Sequence, residues 1–582
     1  MTVCRADRRL RLLGCALALT LVPGLALAQS GRLSPLSQPF DPDTMERIDP
    51  PLAEPVGKID VNALKAPNPD GIGVLDSRQG GLPETLWANT SARTLRALIP
   101  LLPAASGSRA LAGIERRLLL TAAPPPDDAR EGEKPGLVEL RAERLLAMGE
   151  IEGLLTLLKA VPAQASGPML DRVRREAKLL GGDLAGACAD AGRQAPDPSD
   201  PLQPKMLVLC NLTQGRTLEG NFGLDLLREK KDPDGAFITA AEVLGGVPAP
   251  ALDKIRLDEA NPLHVAAFAA AKLPLPASSL TKASASVNRA VAVTTSNPPE
   301  LRLMAGERAE AAGALPIDSL RSLYLAQIFA PDEMSAPLTR ADTAGPRARA
   351  LLFRAATDQP DPMLKAQFAA KALELAGAKG ELAGAARLFE PVILATRPDS
   401  LLAAQAPSFA RALFALGKPE AAAKWLDIVQ ADPAAGATIA ARLWPLAAIA
   451  GTEPGRELSL AGLAGWRQSL TGLAPELAAR RVAVVLGTLA GLGAKIPDSL
   501  WLDTLALPAG GPKFGLFAMM QGAALDARLG GTVLAVLAAT GDSGLDKLDP
   551  ITLSEAISAL SVVGLGEDAR RLAVEAMLAN GI

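Results

Sequence analysis

From about Leu82 onward the chain is a succession of short amphipathic stretches. Apolar residues return every third or fourth position over runs of about 10–16 residues, the spacing that gathers them on one side of a helix. Gly, Pro and Asp separate the runs, and no stretch sustains the every-second-residue alternation of a half-buried strand. The pattern predicts an all-α protein, about two thirds helix or more. Before Leu82 the character differs. Residues 29–70 hold eight prolines and little periodicity, which predicts a Pro-rich extended or disordered tail over 29–80, with GIGVLD (71–76) as a short ordered contact.

The amphipathic runs repeat. The stretches RLLAMGEIEGLLTLL, AKLLGGDLAGACADA and CNLTQGRTLEGNFGL align on Gly149, Gly182 and Gly215, which are evenly spaced. Further on, Gly380 and Gly417 mark the same form, Gly451 matches it poorly, and Gly564 ends the series. Each unit has an apolar helix end, a glycine, a polar pair and a small residue five positions after the glycine. A glycine can take the left-handed conformation that ends one helix, a polar residue can cap the next, and a small residue lets the two cross closely. Ala187, Ala385, Ala422 and Ala569 fill that last place, whereas Leu154 and Gly220 replace the alanine in two units.

On these positions the chain resembles the tetratricopeptide-repeat superfamily, although that family's Trp, Tyr and Pro are mostly missing. The resemblance implies a tetratricopeptide-like α-solenoid of antiparallel helix pairs, on the order of 14 pairs over 81–582. The stretches VPAPALDK, LPLPASS and TTSNPPE make 243–300 the poorest fit, and the array is divided there into halves, 81–295 and 296–582. The segment ERAEAAGALPIDSLRSLYLAQIF (307–329) also resembles a group of exported bacterial proteins, some labelled "antifreeze glycopeptide polyprotein". That label follows alanine content; the regular Thr arrays of ice-binding faces are not present.

Residues 1–28 read as a signal peptide. Arg5, Arg8, Arg9 and Arg11 form its basic region, and Leu12–Leu27 an apolar run of about 16 residues, short of the roughly 20 that span a bilayer. Leu12-Leu13-Gly14-Cys15 imitates a lipoprotein box, but the apolar run lies after Cys15, where lipidation requires it before. Ala26-Leu27-Ala28 favours cleavage after Ala28, leaving Gln29 first. No later run reaches 18 apolar residues without a break, so the mature chain is expected to have no transmembrane segment. The expected location is the periplasm, with secretion as the alternative.

Losing the leader takes the formal charge from −3 to about −6, which gives no electrostatic reason for nucleic acid as a partner. It also leaves two cysteines, Cys188 and Cys210, in an oxidising compartment. Each lies in a predicted helix, and the Pro-rich connection QAPDPSDPLQ makes those helices antiparallel neighbours. The midpoint of 188 and 210 falls inside the connection, so the two cysteines sit at similar heights and are expected to form a disulfide. Aromatics make up only 3% of the chain. Ala and Leu must therefore fill the core, which means closely approaching helices.

No motif carries catalysis. GDSG (541–544) copies the surroundings of a serine nucleophile, but His264 is the only histidine. It sits at the start of an amphipathic helix, and Gly541 to Ser543 read as a helix stop and a turn. PDSL (398–401 and 497–500) and IDSL (317–320) read as helix caps, in which Asp or Ser accepts from exposed amides. FAMMQGA (517–523) faintly matches a transglycosylase element; Met519 and Met520 read as core filler. One His and two Cys make no metal cage, and no phosphate loop is present. No catalytic, metal or cofactor residue is assigned. The expected function is a non-catalytic exported scaffold that holds a protein or extended peptide in its concave groove; neither partner identity nor oligomeric state follows from the sequence. Direct glycan binding is the alternative, for which only Trp87, Trp425, Trp444, Trp466 and Trp501 could serve as platforms. An unrecognised enzyme is the third.

Overall fold

Helix starts are written into the chain by proline and by short polar side chains. Pro262, Pro299, Pro346, Pro362, Pro419, Pro475 and Pro550 each occupy the first helical position, where a missing amide costs nothing. Ser91, Ser108, Asn261 and Asp549 precede helices and accept from an amide in the first turn. A computed structural model describes residues 68–582 apart from 131, 163–164, 166, 194–199, 342–344, 434, 451–457, 506 and 508–510. Cys15, Ala28, Gln29, the Pro-rich residues 29–67 and Gly451 lie outside the described residues. Among the described residues there are 28 α-helices, no strand, and one isolated bridge between Leu75 and Thr121.

The helices pair as the glycine spacing predicts. Leu137–Met148 with Ile151–Ala160 turn at Gly149, Pro168–Leu180 with Leu184–Ala191 at Gly182, and Leu202–Thr213 with Thr217–Glu229 at Gly215. Pro362–Gly377 with Leu382–Ala395 turn at Gly380, Ala406–Ala415 with Pro419–Gln430 at Gly417, and Pro550–Val562 with Gly566–Ala579 at Gly564. All six glycines have φ between 66° and 86°. Ala187, Ala422 and Ala569 are fully buried at the crossings. Gly220 replaces the alanine for a steric reason: a Cβ there would stand 2.5 Å from Leu212 Cδ2. Cys188 and Cys210 are joined in a disulfide, Cα atoms 5.5 Å apart.

Contacts also run between distant parts of the sequence. Gly566–Ala579 packs against Leu382–Ala395, Ala406–Ala415, Gly436–Ala450, Pro475–Gly491 and Pro550–Val562, and also against Arg109–Leu120 near the other end of the chain. Arg109–Leu120 further meets Leu529–Thr540. The described residues belong to one compact unit, and contacts cross position 295/296, where Ala285–Val293 lies along Pro299–Ala311. The core is largely Ala and Leu, with few aromatic anchors; Phe409 meets Trp425 edge-on at 4.9 Å.

Residues 68–80, the end of the expected tail, are docked chain, and the bonds fall within GIGVLD (71–76), the stretch expected to make an ordered contact. Val74 and Leu75 donate to the Leu120 carbonyl at 2.8 and 3.1 Å, and Ala122 donates to Leu75 at 2.9 Å. The buried Arg141 guanidinium clamps both sides, donating to the carbonyls of Leu119, Ile72 and Thr121 at 2.8, 2.7 and 3.0 Å. Burial brings Arg141 down to about 10, eased by the charge of Asp70. Periodicity names no partner for such a contact, because apart from Arg141 its donors and acceptors are backbone groups.

Candidate functional site

Two adjoining cavities open beside the helix Pro299–Ala311 and share Met304 and Pro346. The larger, about 670 Å³, has a floor of Leu275, Leu301, Leu351 and Phe329. The smaller, about 420 Å³, lies between Leu320, Tyr324, Gly384, Ala385 and Phe389. Helical spacing explains the division. Leu301 and Met304 face the larger cavity; Glu307 and Ala311 continue that side of the helix, a turn at a time, into the smaller. Five residues of the singled-out segment 307–329 besides Leu320 and Tyr324 line one or the other cavity: Glu307, Arg308, Glu310, Ala311 and Phe329.

The charges here are held in pairs. Glu307 takes Arg349 in two bonds, Nε–Oε1 3.0 Å and Nη2–Oε2 2.5 Å, and Tyr324 OH also donates to Glu307 Oε1. Glu310 takes Arg387 likewise, at 2.8 and 3.1 Å. Such forked pairs fix direction as well as charge. Burial pulls Arg349 down, but hydrogen bonds to Glu307 and its charge outweigh this and hold the guanidinium above its ordinary value. Burial, then the charge of Glu307, pushes the Tyr324 hydroxyl well above its ordinary value. At the mouth of the larger cavity Arg347 lies 4.8 Å over the Phe329 ring and donates to both Glu333 oxygens at 3.1 and 3.0 Å. Glu333 in turn accepts from Ala330 N–H at 2.7 Å; that bond, then Arg347, holds its carboxyl below the usual range.

The other singled-out residues fall elsewhere. His264 is buried; its Nδ1 accepts from Asn261 N–H at 3.3 Å and its Nε2 lies 2.9 Å from Asp234 Oδ1, so both ring nitrogens are occupied. In GDSG, Gly541 stops the helix Leu529–Thr540 and Asp542 Oδ1 accepts from Ala105 N–H at 2.8 Å. Asp399 caps its turn by accepting from Leu401 N–H at 2.9 Å. Asp318 and Asp498 do not cap. Pro316 and Pro497 hold the cap positions, which moves each Asp into the first turn, where its charge suits the helix dipole. Met520 is core, but Met519 is exposed. Trp87, Trp425 and Trp466 are buried, and Trp444 and Trp501 half-buried; none lines the two cavities.

Composition offers no sign of Glu307, Glu310, Arg349 and Arg387 as a set, because Arg349 and Arg387 are 42 and 77 residues from their partners. Among the described residues no three His, Cys, Asp or Glu side chains converge as a metal ion requires, and no helix is long and apolar enough to cross a membrane. No protein-family model, curated protein or solved structure matches the chain.

Proposed function

We propose that this protein is a non-catalytic, exported, tetratricopeptide-like scaffold that binds a protein or extended peptide. The observation that carries the reading is the pair of adjoining cavities sharing Met304 and Pro346. Apolar floors give side-chain pockets, and successive side chains on one face of an extended peptide are spaced to enter neighbouring pockets. The two forked ion pairs support binding rather than proton transfer: Glu307 and Glu310 are each committed to an arginine. Burial of Trp87, Trp425 and Trp466 leaves little aromatic platform for glycan. The signal-like stretch 1–28 supports export, as does the disulfide.

Photo-crosslinking from position 304 in the native envelope, with competition by synthetic peptides and by cell-wall glycan fragments, tests the reading. Met304→Trp fills the shared wall and is expected to abolish peptide capture with the helical circular dichroism unchanged. Capture of glycan instead, or peptide binding indifferent to Met304→Trp, refutes it. The exported form is expected to begin at Gln29; intact mass showing a lipid on Cys15 would overturn that assignment.

A further inference from the structure

Three carboxylates from the last part of the chain receive donors from the first helices. Asp542 accepts from Ala105 N–H, Glu575 from Ala110 N–H at 3.2 and 3.3 Å and from Ser108 Oγ, and Asp568 from Arg117 Nη2 at 2.6 Å. Gly530 N–H donates to Leu86 O at 3.0 Å, and a Cβ at Gly530 would stand 2.3 Å from that oxygen. This seam joins residues 86–120 to residues 530–575.

Glu115 lies in the seam and takes no part in its bonding. It is 0% exposed, on the helix Arg109–Leu120, and neither carboxyl oxygen has a hydrogen-bond partner among the described residues. Arg144 and Asp542 are the charges that act on it. Arg144 donates to Leu102 O, while its buried Nε has no partner among the described residues; Arg141 is held by carbonyls, and Glu150 takes Arg116 at 3.0 Å. On its own helix, Arg109 donates to Glu310 O at 3.3 Å. A dry carboxylate without donors cannot stay ionised. We propose that Glu115 is the proton-operated element of a clasp between the first and last helices: protonated, it lets Arg109–Leu120 lie against Leu529–Thr540, and its ionisation releases that contact.

The direction of the response follows from the two environments. Burial, opposed by Arg144 and reinforced by Asp542, raises the seated carboxyl to about 8, against an ordinary value of 4.5 once it meets water. Opening therefore releases a proton between those values. The opening equilibrium rises with pH, approaching roughly tenfold per unit from about 4.5 to 8, and levels off above.

Native-state hydrogen exchange on the full chain, with protection corrected for intrinsic rates, tests the clasp. Amides of 109–120 should lose protection by close to tenfold per pH unit below about 8, while those of 202–229 keep theirs. Glu115→Gln should flatten the response. Asp542→Asn, which leaves Glu115 in place, should bring the plateau to lower pH. A wild-type slope in Glu115→Gln, an unmoved plateau in Asp542→Asn, or parallel loss of protection in 109–120 and 202–229 would each overturn the clasp.

Discussion

His264 is held by Asn261 and Asp234. Asp234 Oδ1 meets its Nε2 and also caps the helix Gly235–Leu244 by accepting from Phe237 N–H at 3.0 Å. Lys205 holds Asp234 and Asp232 at 3.0 and 2.9 Å. Burial works against ionisation of Asp234, but its hydrogen bond with His264 and the charge there, aided by Phe237 N–H and Lys205, hold it well below the usual carboxylate range. A depressed carboxyl stabilises the fold above its ordinary value of 3.8, and that contribution is lost as pH falls below it. His264→Ala should therefore destabilise the protein by about 1.5–3 kcal/mol in urea titrations near neutral pH, and acid unfolding should begin at higher pH. Unchanged acid unfolding would mean that His264 only fills space. At this scale the sequence was informative where chemistry is local to a spacing, as with Cys188 and Cys210. It was silent where a partner is remote: nothing around His264 names Asp234, which lies beyond the neighbouring helix and its loop, and nothing around Glu115 says that its carboxyl is left without a donor.

Among the elements, the turns were the most legible, because a left-handed residue between two apolar runs admits few side chains. Gly149 and Gly182 have nearly equal φ, 79° and 80°, yet different surroundings. A Cβ at Gly182 meets nothing within 4 Å among the described residues, while one at Gly149 would stand 2.7 Å from Ala314 Cβ and 3.1 Å from the backbone of Ser286. Gly182→Ala should cost about 1–2 kcal/mol, the penalty of the left-handed conformation alone. Gly149→Ala should cost clearly more, since the turn must also back away from the neighbouring helices. Chemical denaturation of the two variants side by side checks the order; equal losses would mean that the contact with 286 and 314 yields freely. Periodicity assigns both glycines the same role, since it describes one hairpin at a time. Asp318 and Asp498 fail for a different reason: a DSL tripeptide looks like a cap, but Pro316, two residues before Asp318, and Pro497, next to Asp498, take the position. The cavities were illegible for a reason related to that of the glycines, their walls being drawn from several successive helices and loops between residues 252 and 389 and not from one hairpin.

At the scale of the whole molecule, the helix Gly566–Ala579 separates two descriptions of the fold. In a linear stack each repeat touches only its neighbours, so removing the last helix exposes one interface and leaves the remainder folded. Here the helix touches Pro550–Val562, its hairpin partner, and also Leu382–Ala395, Ala406–Ala415, Gly436–Ala450, Pro475–Gly491 and Arg109–Leu120. Ala569, Leu572, Ala573, Ala576 and Met577 are fully buried, and on the polar side Asp568 and Glu575 hold Arg117, Ser108 and the Ala110 amide. The alternation of apolar and polar positions told correctly that this segment is a helix with a buried face; it could not tell that six helices share it. Truncation after Val563 should therefore cost far more helix than the deleted residues carried, and should broaden or abolish cooperative urea unfolding, since the helices around the gap lose a common neighbour. Far-UV circular dichroism and urea titration of the truncated chain decide between the descriptions. A loss of ellipticity in proportion to the deletion, with the midpoint unmoved, would favour the linear stack and make the contact with Arg109–Leu120 incidental to stability.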